Sequence, residues 1–194
     1  MGSRTWAWNS ASDGRREEFR MTPAPPSAFR IRPMTPRDLG RVVAIEAACF
    51  GAEAWPFHSF KDLLAAFAKA EPTRGAMWVA EAPESGELLG YAGVEVSALW
   101  GEMDVINIAV APEHRQHGVG QGLMRWIIDH CQAEGVPLLW LRVRASNRVA
   151  RRFYRHLGFR QRGRFHGYYQ DPDEPAIIMA LDVGAQPVAG RSGR

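Results

Sequence analysis

Only two cysteines occur in the 194 residues, Cys49 and Cys131, each inside an apolar helical pattern and far apart in sequence. Two buried thiols account for them better than a disulfide or a metal pair. The six histidines never fall at zinc spacing. His114 and His117 are neighbours without companion ligands, so no metal is expected. No apolar run is long enough to cross a bilayer, and the opening "MGSRTWAWNS" has no apolar core of a secretion signal. These absences predict a cytoplasmic chain with no membrane contact. No internal repeat is visible. Net charge is also small, +3 from 24 basic and 21 acidic residues, although the isoelectric point is about 9.2. The excess is uneven: Arg142, Arg144, Arg148, Arg151, Arg152, Arg155, Arg160, Arg162 and Arg164 crowd the C-terminal half. Such a crowd is either a solvated face or a surface for a polyanion or ribonucleoprotein.

What is present is a globular domain. Hydrophobic residues make up 46% of the chain, enough for one core with tails. Residues 1–28 are polar and proline-rich, which predicts a disordered N-terminal extension, with Met21 as an alternative start. The domain is expected over 29–183 and a flexible tail over 184–194. "FRIRPM" alternates as a short strand. Thr35 and Pro36 open a helix as N-cap and first helical residue, and "WPFHSFKDLLAAFAKA" is a second helix. "AMWVAEA", "LLGYAGVEVSALW" and "EMDVINIAVAP" are strands, the last with Ile106, Ile108 and Val110 expected on one face. Leu123, Trp126, Ile127, His130 and Cys131 mark one side of the next helix, ended by Gly135. "PLLWLRV" is nearly continuous and is expected to be buried on both faces. Asn147 caps a further helix, with Val149, Phe153 and Leu157 inward and arginines outward. "FRQRGRF" and "PAIIMALDV" close the fold. The order β-α-α-β-β-β-α-β-α-β-β specifies an α/β domain with a mixed sheet.

Between a strand and a helix stands "APEHRQHGVGQGLMRW". It spaces Arg115, Gly118 and Gly120 as Arg-x-x-Gly-x-Gly. A helix N-terminus leaves amides free and partially positive, and glycines let an anion approach them. The Gly-Lys-Ser/Thr of a Walker loop is missing, and Rossmann spacing is wrong. On spacing alone, a phosphate cradle and an ordinary glycine turn remain open.

"VAPEHRQHGVGQGLM", "LLWLRVRASNRVARRFYRHLGF" and "GYYQDPDEPAIIMAL" closely resemble the GNAT superfamily of acetyl-CoA-dependent N-acetyltransferases. Within it they resemble the RimI-like ribosomal-protein alanine N-acetyltransferases, as does "EAWPFHSF". The likeness runs from Phe29 to Val183. It implies a GNAT fold: a mixed, mostly antiparallel sheet of six to seven strands, splayed at the cofactor site and flanked by about four helices. It also implies that Arg115, Gln116, His117, Gly118, Val119 and Gly120 wrap the pyrophosphate of coenzyme A. Backbone groups of Ile108, Ala109 and Val110 would hold the acetyl and pantetheine end, and the Asn147 side chain would touch the cofactor. Tyr154 falls where the family has its general acid, and a phenol is able to protonate a leaving thiolate. Tyr168 and Tyr169 would lie near the acceptor, with strand-edge packing as the alternative. Trp55, Pro56 and Phe57 would line its mouth or pack in the core.

One position departs from the pattern. RimI-like enzymes carry a glutamate where this chain has Arg142, and arginine is no base at neutral pH. Glu102 and Asp104 are candidate replacements, with Glu102 where the family often has an acid; His166 is a weaker one. Alternatively, solvent takes the proton, or the acceptor carries a negative group for Arg142 to grip. The acceptor implied is a protein or peptide N-terminus, ribosomal by resemblance. A small-molecule amine and a non-catalytic acetyl-CoA-binding domain are the other readings. Direct nucleic-acid binding is not expected, because the arginines lack interleaved aromatics. Monomer and homodimer are equally compatible.

Overall fold

The structure is a computed structural model that describes residues 29–69, 74–96 and 102–184. The expected extension 1–28, the start at Met21 and residues 185–194 of the tail lie outside the described residues. The elements are β1 (Arg30–Pro33), α1 (Leu39–Phe50), α2 (Phe57–Lys69), β2 (Gly75–Glu81), β3 (Leu88–Val96), β4 (Met103–Val110), α3 (Val119–Ala133), β5 (Leu138–Arg144), α4 (Arg148–His156), β6 (Arg160–Gln170) and β7 (Asp173–Asp182). Seven strands form one sheet in the order β1-β2-β3-β4-β5-β7-β6. Every neighbouring pair is antiparallel except β4 with β5. Helix α3 and the buried stripe of α4 pack on one face, where Leu123, Met124, Ile127, Leu139, Leu141, Tyr154 and Phe159 form the larger core. Helices α1 and α2 cover the other, around Val42, Ile45, Phe60, Val79 and Tyr91.

Several expectations change in detail. Thr35 and Pro36 open a short 3-10 turn, with the Thr35 amide donating to Asp38 at 2.8 Å, and α1 starts only at Leu39. Ile106, Ile108 and Val110 do not share one face. A bulge sets Asn107 opposite Gly93 but Val105 opposite Val94, so Ile106 is an extra residue. Strand β5 is buried on one face only: Leu139, Leu141 and Val143 are enclosed, while Leu138, Trp140 and Arg142 are half-exposed. On α3, Trp126 is 42% exposed and Met124 takes the core position. On α4, Val149 is 47% exposed, and the inward stripe is Ala150, Phe153, Tyr154 and Leu157, a spacing of three and four residues. The helix stop predicted at Gly135 stands, with positive φ, and Gly158, also with positive φ, follows the end of α4.

Candidate active site

Strands β4 and β5 are registered at just two pairs, Met103 with Leu139 and Asp104 with Trp140. Beyond them β4 continues to Val110 and β5 to Arg144 with no mutual pairing, while β4 stays on β3 as far as Gly90 opposite Val110. The bulge at Ile106 lies just past the last β4–β5 pair, and a bulge bends its strand and increases the local twist. The sheet therefore forks. Ile108, Ala109 and Val110 line a narrow slot on one prong with Gly120, Ala150, Phe153 and Tyr154. The Val110 carbonyl accepts from the Cys49 thiol at 3.3 Å and from Arg115 Nε at 3.4 Å.

The loop after β4 reaches α3 through two residues with left-handed backbone, Gln116 at φ 64° and Gly118 at φ 80°. Gly118 is the N-cap of α3. Such a loop turns amides toward a common point, and the first turn of α3 adds unsatisfied N–H groups. A diphosphate suits this donor set. Gln116 and His117 are exposed, and Val119 is buried beneath the loop. Arg115 is half-buried: besides Val110, its guanidinium reaches the Cys49 thiol at 3.4 Å, which ties the loop to α1. At Gly118 a Cβ meets the left-handed penalty, so Gly118→Ala is expected to cost about 1 kcal/mol of stability and to raise the Kd for acetyl-CoA. Thermal melting and titration read the two effects separately.

Asn147 does cap α4. Its Oδ1 accepts from the Ala150 amide at 3.0 Å, leaving Nδ2 to offer a ligand. Tyr154 is 3% exposed, with its ring centroid 5.2 Å from Phe153 and 5.7 Å from Phe159. Burial pushes its phenol well above the ordinary tyrosine range, and nearby Tyr169 adds to the shift. Tyr154 thus holds its proton throughout the working pH range.

The opposite face of the fork is ionic. Arg142 of β5 pairs with Asp104 of β4, Nη1 to Oδ2. Burial raises the Asp104 pKa, and Arg142 draws it back. Asp104 Oδ1, Asn107 Oδ1 and Trp140 Nε1 are buried with no hydrogen-bond partner among the described residues. They flank the point where the strands part. Glu102, two residues before Asp104, is half-buried. His166 is exposed in β6.

Arg144 holds the far wall together. It pairs with Glu53 of the α1–α2 connection, meets Glu174 at 3.2 Å, and donates to the carbonyls of Asp171 at 3.1 Å and Pro172 at 3.4 Å. Its guanidinium also lies 4.1 Å from the centroid of the buried Tyr169 ring. Tyr168 is half-buried, its ring centroid 5.0 Å from that of Tyr169. Tyr168 and Tyr169 therefore belong to the wall that Arg144 organises. Trp55 is half-buried against Phe60, at 5.5 Å between centroids, while Pro56 and Phe57 are exposed.

Sequence reading missed Arg144, Glu53, Glu174 and a second hub, Glu46. Glu46 is 1% exposed in α1. It accepts from the Tyr91 hydroxyl, from the Trp55 amide at 2.9 Å and from Asn107 Nδ2 at 3.3 Å. Burial raises its pKa against those three donors. The available signal was a charge on an apolar stripe, between Val42 and Cys49. The fold also brings the exposed Glu87 and Glu113 to the half-buried His114, with His114 Nε2 3.1 Å from Glu87, a trio that spacing did not reveal. A groove of about 770 Å³ lies away from the fork, between α2, β2 and α3 near Trp78 and Trp126.

A forked sheet, an anion-binding loop opening a helix, and a buried phenol at the slot are the marks of an acyl-transfer fold that takes a nucleotide thioester. Residues 39–159 match the acetyltransferase (GNAT) family, and the chain belongs to it. It is an N-acetyltransferase of RimI-like type. Among similar proteins, the [ribosomal protein bS18]-alanine N-acetyltransferase of Escherichia coli K12 is 38% identical over 102 residues, covering 52% of this chain and 68% of the relative. The putative enzyme of that name in Bacillus subtilis is 32% identical over 153 residues, or 79% and 95% of the two chains. The crystal structure of the E. coli ribosomal-protein-S18-alanine N-acetyltransferase superposes with a TM-score of 0.68 at 30% identity, over 86% of this chain and 99% of that one. Streptothricin acetyltransferase of Streptomyces lavendulae is 36% identical over 99 residues, or 50% and 52%. Acetyl-CoA is the co-substrate this family implies.

Proposed function

We propose that this chain acetylates the N-terminal α-amine of a protein in the cytoplasm, with a ribosomal protein as the acceptor class. The observation that carries the reading is the fork, with a buried phenol on one side and a carboxylate oxygen that lacks a donor on the other. Arg115 to Gly120 and the start of α3 hold the diphosphate of the cofactor, and Ile108, Ala109 and Val110 line its arm with Asn147 alongside. Acetyl-CoA supplies a thioester carbonyl carbon for an amine to attack. The Tyr154 hydroxyl gives its proton to the sulfur as the C–S bond breaks. The attacking amine, with a reference pKa of about 8, gives its proton to Asp104, whose Oδ1 lacks a donor. Arg142 draws the pKa of that carboxylate down against the effect of burial. The glutamate of the family pattern is thus replaced by an acid across the fork, with Glu102 on the same side of β4 as a second acid.

Thiol release from acetyl-CoA tests the reading. Peptides beginning with alanine, serine and methionine, a lysine side-chain peptide, and polyamines serve as acceptors. The expected result is turnover with the alanine peptide. Turnover restricted to small amines overturns it in favour of a drug- or polyamine-type enzyme, a reading that the streptothricin relative supports. Tight acetyl-CoA binding without turnover on any acceptor leaves a binding domain.

A further inference from the structure

Two side chains of β4 each have one polar atom bound and one left over. Asp104 gives Oδ2 to Arg142 and keeps Oδ1. Asn107 gives Nδ2 to Glu46, 3.3 and 3.4 Å from its two carboxylate oxygens, and keeps Oδ1. A carboxylate only accepts, so Glu46 fixes which end of the amide turns toward it, and the end left over is an acceptor. Asn107 is 2% exposed, and its Oδ1 is buried with no partner among the described residues. A buried carbonyl oxygen without a donor is costly, and it is a ready site for a donor that arrives with a ligand.

In a regular strand, residues three apart face opposite ways. The bulge changes that here. Asp104 lies opposite Glu95 and Asn107 opposite Gly93, two residues apart on β3. The extra residue, Ile106, therefore leaves Asp104 and Asn107 as next neighbours on one face, about 7 Å apart along the strand. That face is the one α1 covers. Met103 and Val105, on either side of Asp104, belong to the larger core under α3 and α4, whereas Asn107 reaches Glu46 of α1. Two spare acceptors thus stand side by side where β4 leaves β5.

We propose that Asn107 Oδ1 holds one N–H of the attacking amine while Asp104 takes the other, and that Glu46 is the positioning residue that aims the Asn107 amide. The proposal rests on the fork as the reaction centre and on Asp104 as the base, as argued above. A neutral primary amine has two N–H bonds and one lone pair. With one N–H on each acceptor, the lone pair is left for the thioester carbon. As the C–N bond forms and the C–S bond breaks, the proton on the Asp104 side passes to that carboxylate. The departing sulfur takes the Tyr154 proton. The N–H on Asn107 is kept and becomes the N–H of the product amide. A secondary amine has a single N–H, which Asp104 needs, so Asn107 is left unpaired. A site built to hydrogen-bond a group rejects the analogue that lacks it. The pair therefore selects primary amines.

Steady-state kinetics with the alanine peptide and its N-methyl-alanine analogue test the assignment. Asn107→Ala is expected to raise the KM for the primary amine about 10- to 100-fold, with kcat within about threefold, because the lost hydrogen bond is made before and during attack. The Kd for acetyl-CoA should stay the same. The N-methyl analogue should lose nothing, so the preference for the primary amine falls by the same factor. Glu46→Gln removes the acceptor-only partner and should raise the same KM about tenfold. The double variant Glu46→Gln/Asn107→Asp exchanges amide and carboxylate. The new amide donates, and the new carboxylate keeps an oxygen for the amine, so KM should return to within about threefold of the parent. This exchange conserves side-chain volume, so it reads the proposal even where Asn107→Ala melts below the assay temperature. An unmoved KM in Asn107→Ala or Glu46→Gln, an equal loss on the N-methyl analogue, an acetyl-CoA Kd that rises with KM, or a double variant that melts like the parent but stays impaired would each overturn it. If the chain acetylates the polyamine and not the peptide, the same variants are read on the polyamine and its N-methylated form. Failure of the acceptor reading shows in which amine reacts, whereas failure of this assignment shows in an unchanged preference for the primary amine.

Discussion

Tyr154→Phe is expected to lower kcat by 10²- to 10³-fold while the Kd for acetyl-CoA stays the same. Removing one hydroxyl from a packed ring leaves the aromatic contacts with Phe153 and Phe159, so the slot keeps its shape. What disappears is the proton for the departing sulfur, and general acid catalysis contributes typically 10²–10⁴-fold. The direction of the pKa shift fixes the role. Burial favours the neutral phenol, so the group serves as an acid and not as a base, and no alkaline fall in rate should trace to its ionisation below pH 10. Isothermal titration of acetyl-CoA and stopped-flow thiol release separate binding from chemistry. An unchanged kcat in the variant would hand the proton to solvent.

The residues that proved hardest to read were those whose environment is made by strands distant in sequence. The order of elements was legible because apolar spacing and the caps at Thr35, Asn147 and Gly135 are local signals. The fork was legible only by resemblance. Nothing in "MDVINIAV" announces an inserted residue, because a bulge is defined against the partner strand, and the alternation of Ile106, Ile108 and Val110 looks intact until Gly93 and Val94 are placed opposite. Strand β5 misled for a related reason. Its Leu-Leu-Trp-Leu run suggests two buried faces, but the departure of β4 and the charges at Arg142 and Arg144 make its second face part of a site. Trp126 and Val149 were placed inward because they are apolar, yet helical geometry assigns the core positions to Met124 and Ala150. Arg142 looked anomalous in the sequence. Asp104, which lies opposite Trp140 across the fork, is its partner, and a pair separated by 38 residues leaves no periodic trace.

That pair supports a linked set of outcomes. Asp104→Asn is expected to lower kcat/KM by 10²- to 10⁴-fold, the contribution of a positioned base, and to remove the acidic limb of its pH profile. Arg142→Gln acts differently. Without the guanidinium, burial and the negative charge of Glu95 act on Asp104 unopposed, so its folded pKa rises further above the unfolded value of about 3.9. The acidic limb should therefore move to higher pH while a measurable maximum rate remains. Stability follows the same sign. A carboxyl whose folded pKa is raised opposes folding once ionised, so Arg142→Gln is expected to cost about 1–3 kcal/mol at pH 7. The deficit should close as pH falls and Asp104 takes up its proton. Thermal melts at pH 7 and pH 4 measure that gap. The double variant Asp104→Asn/Arg142→Gln removes both charges from the fork, so it should recover most of the stability lost by Arg142→Gln and none of the activity lost by Asp104→Asn. Retained activity in Asp104→Asn, with loss in Glu102→Gln, would move the base two residues along β4. The fork would then need Arg142 only to neutralise a buried acid.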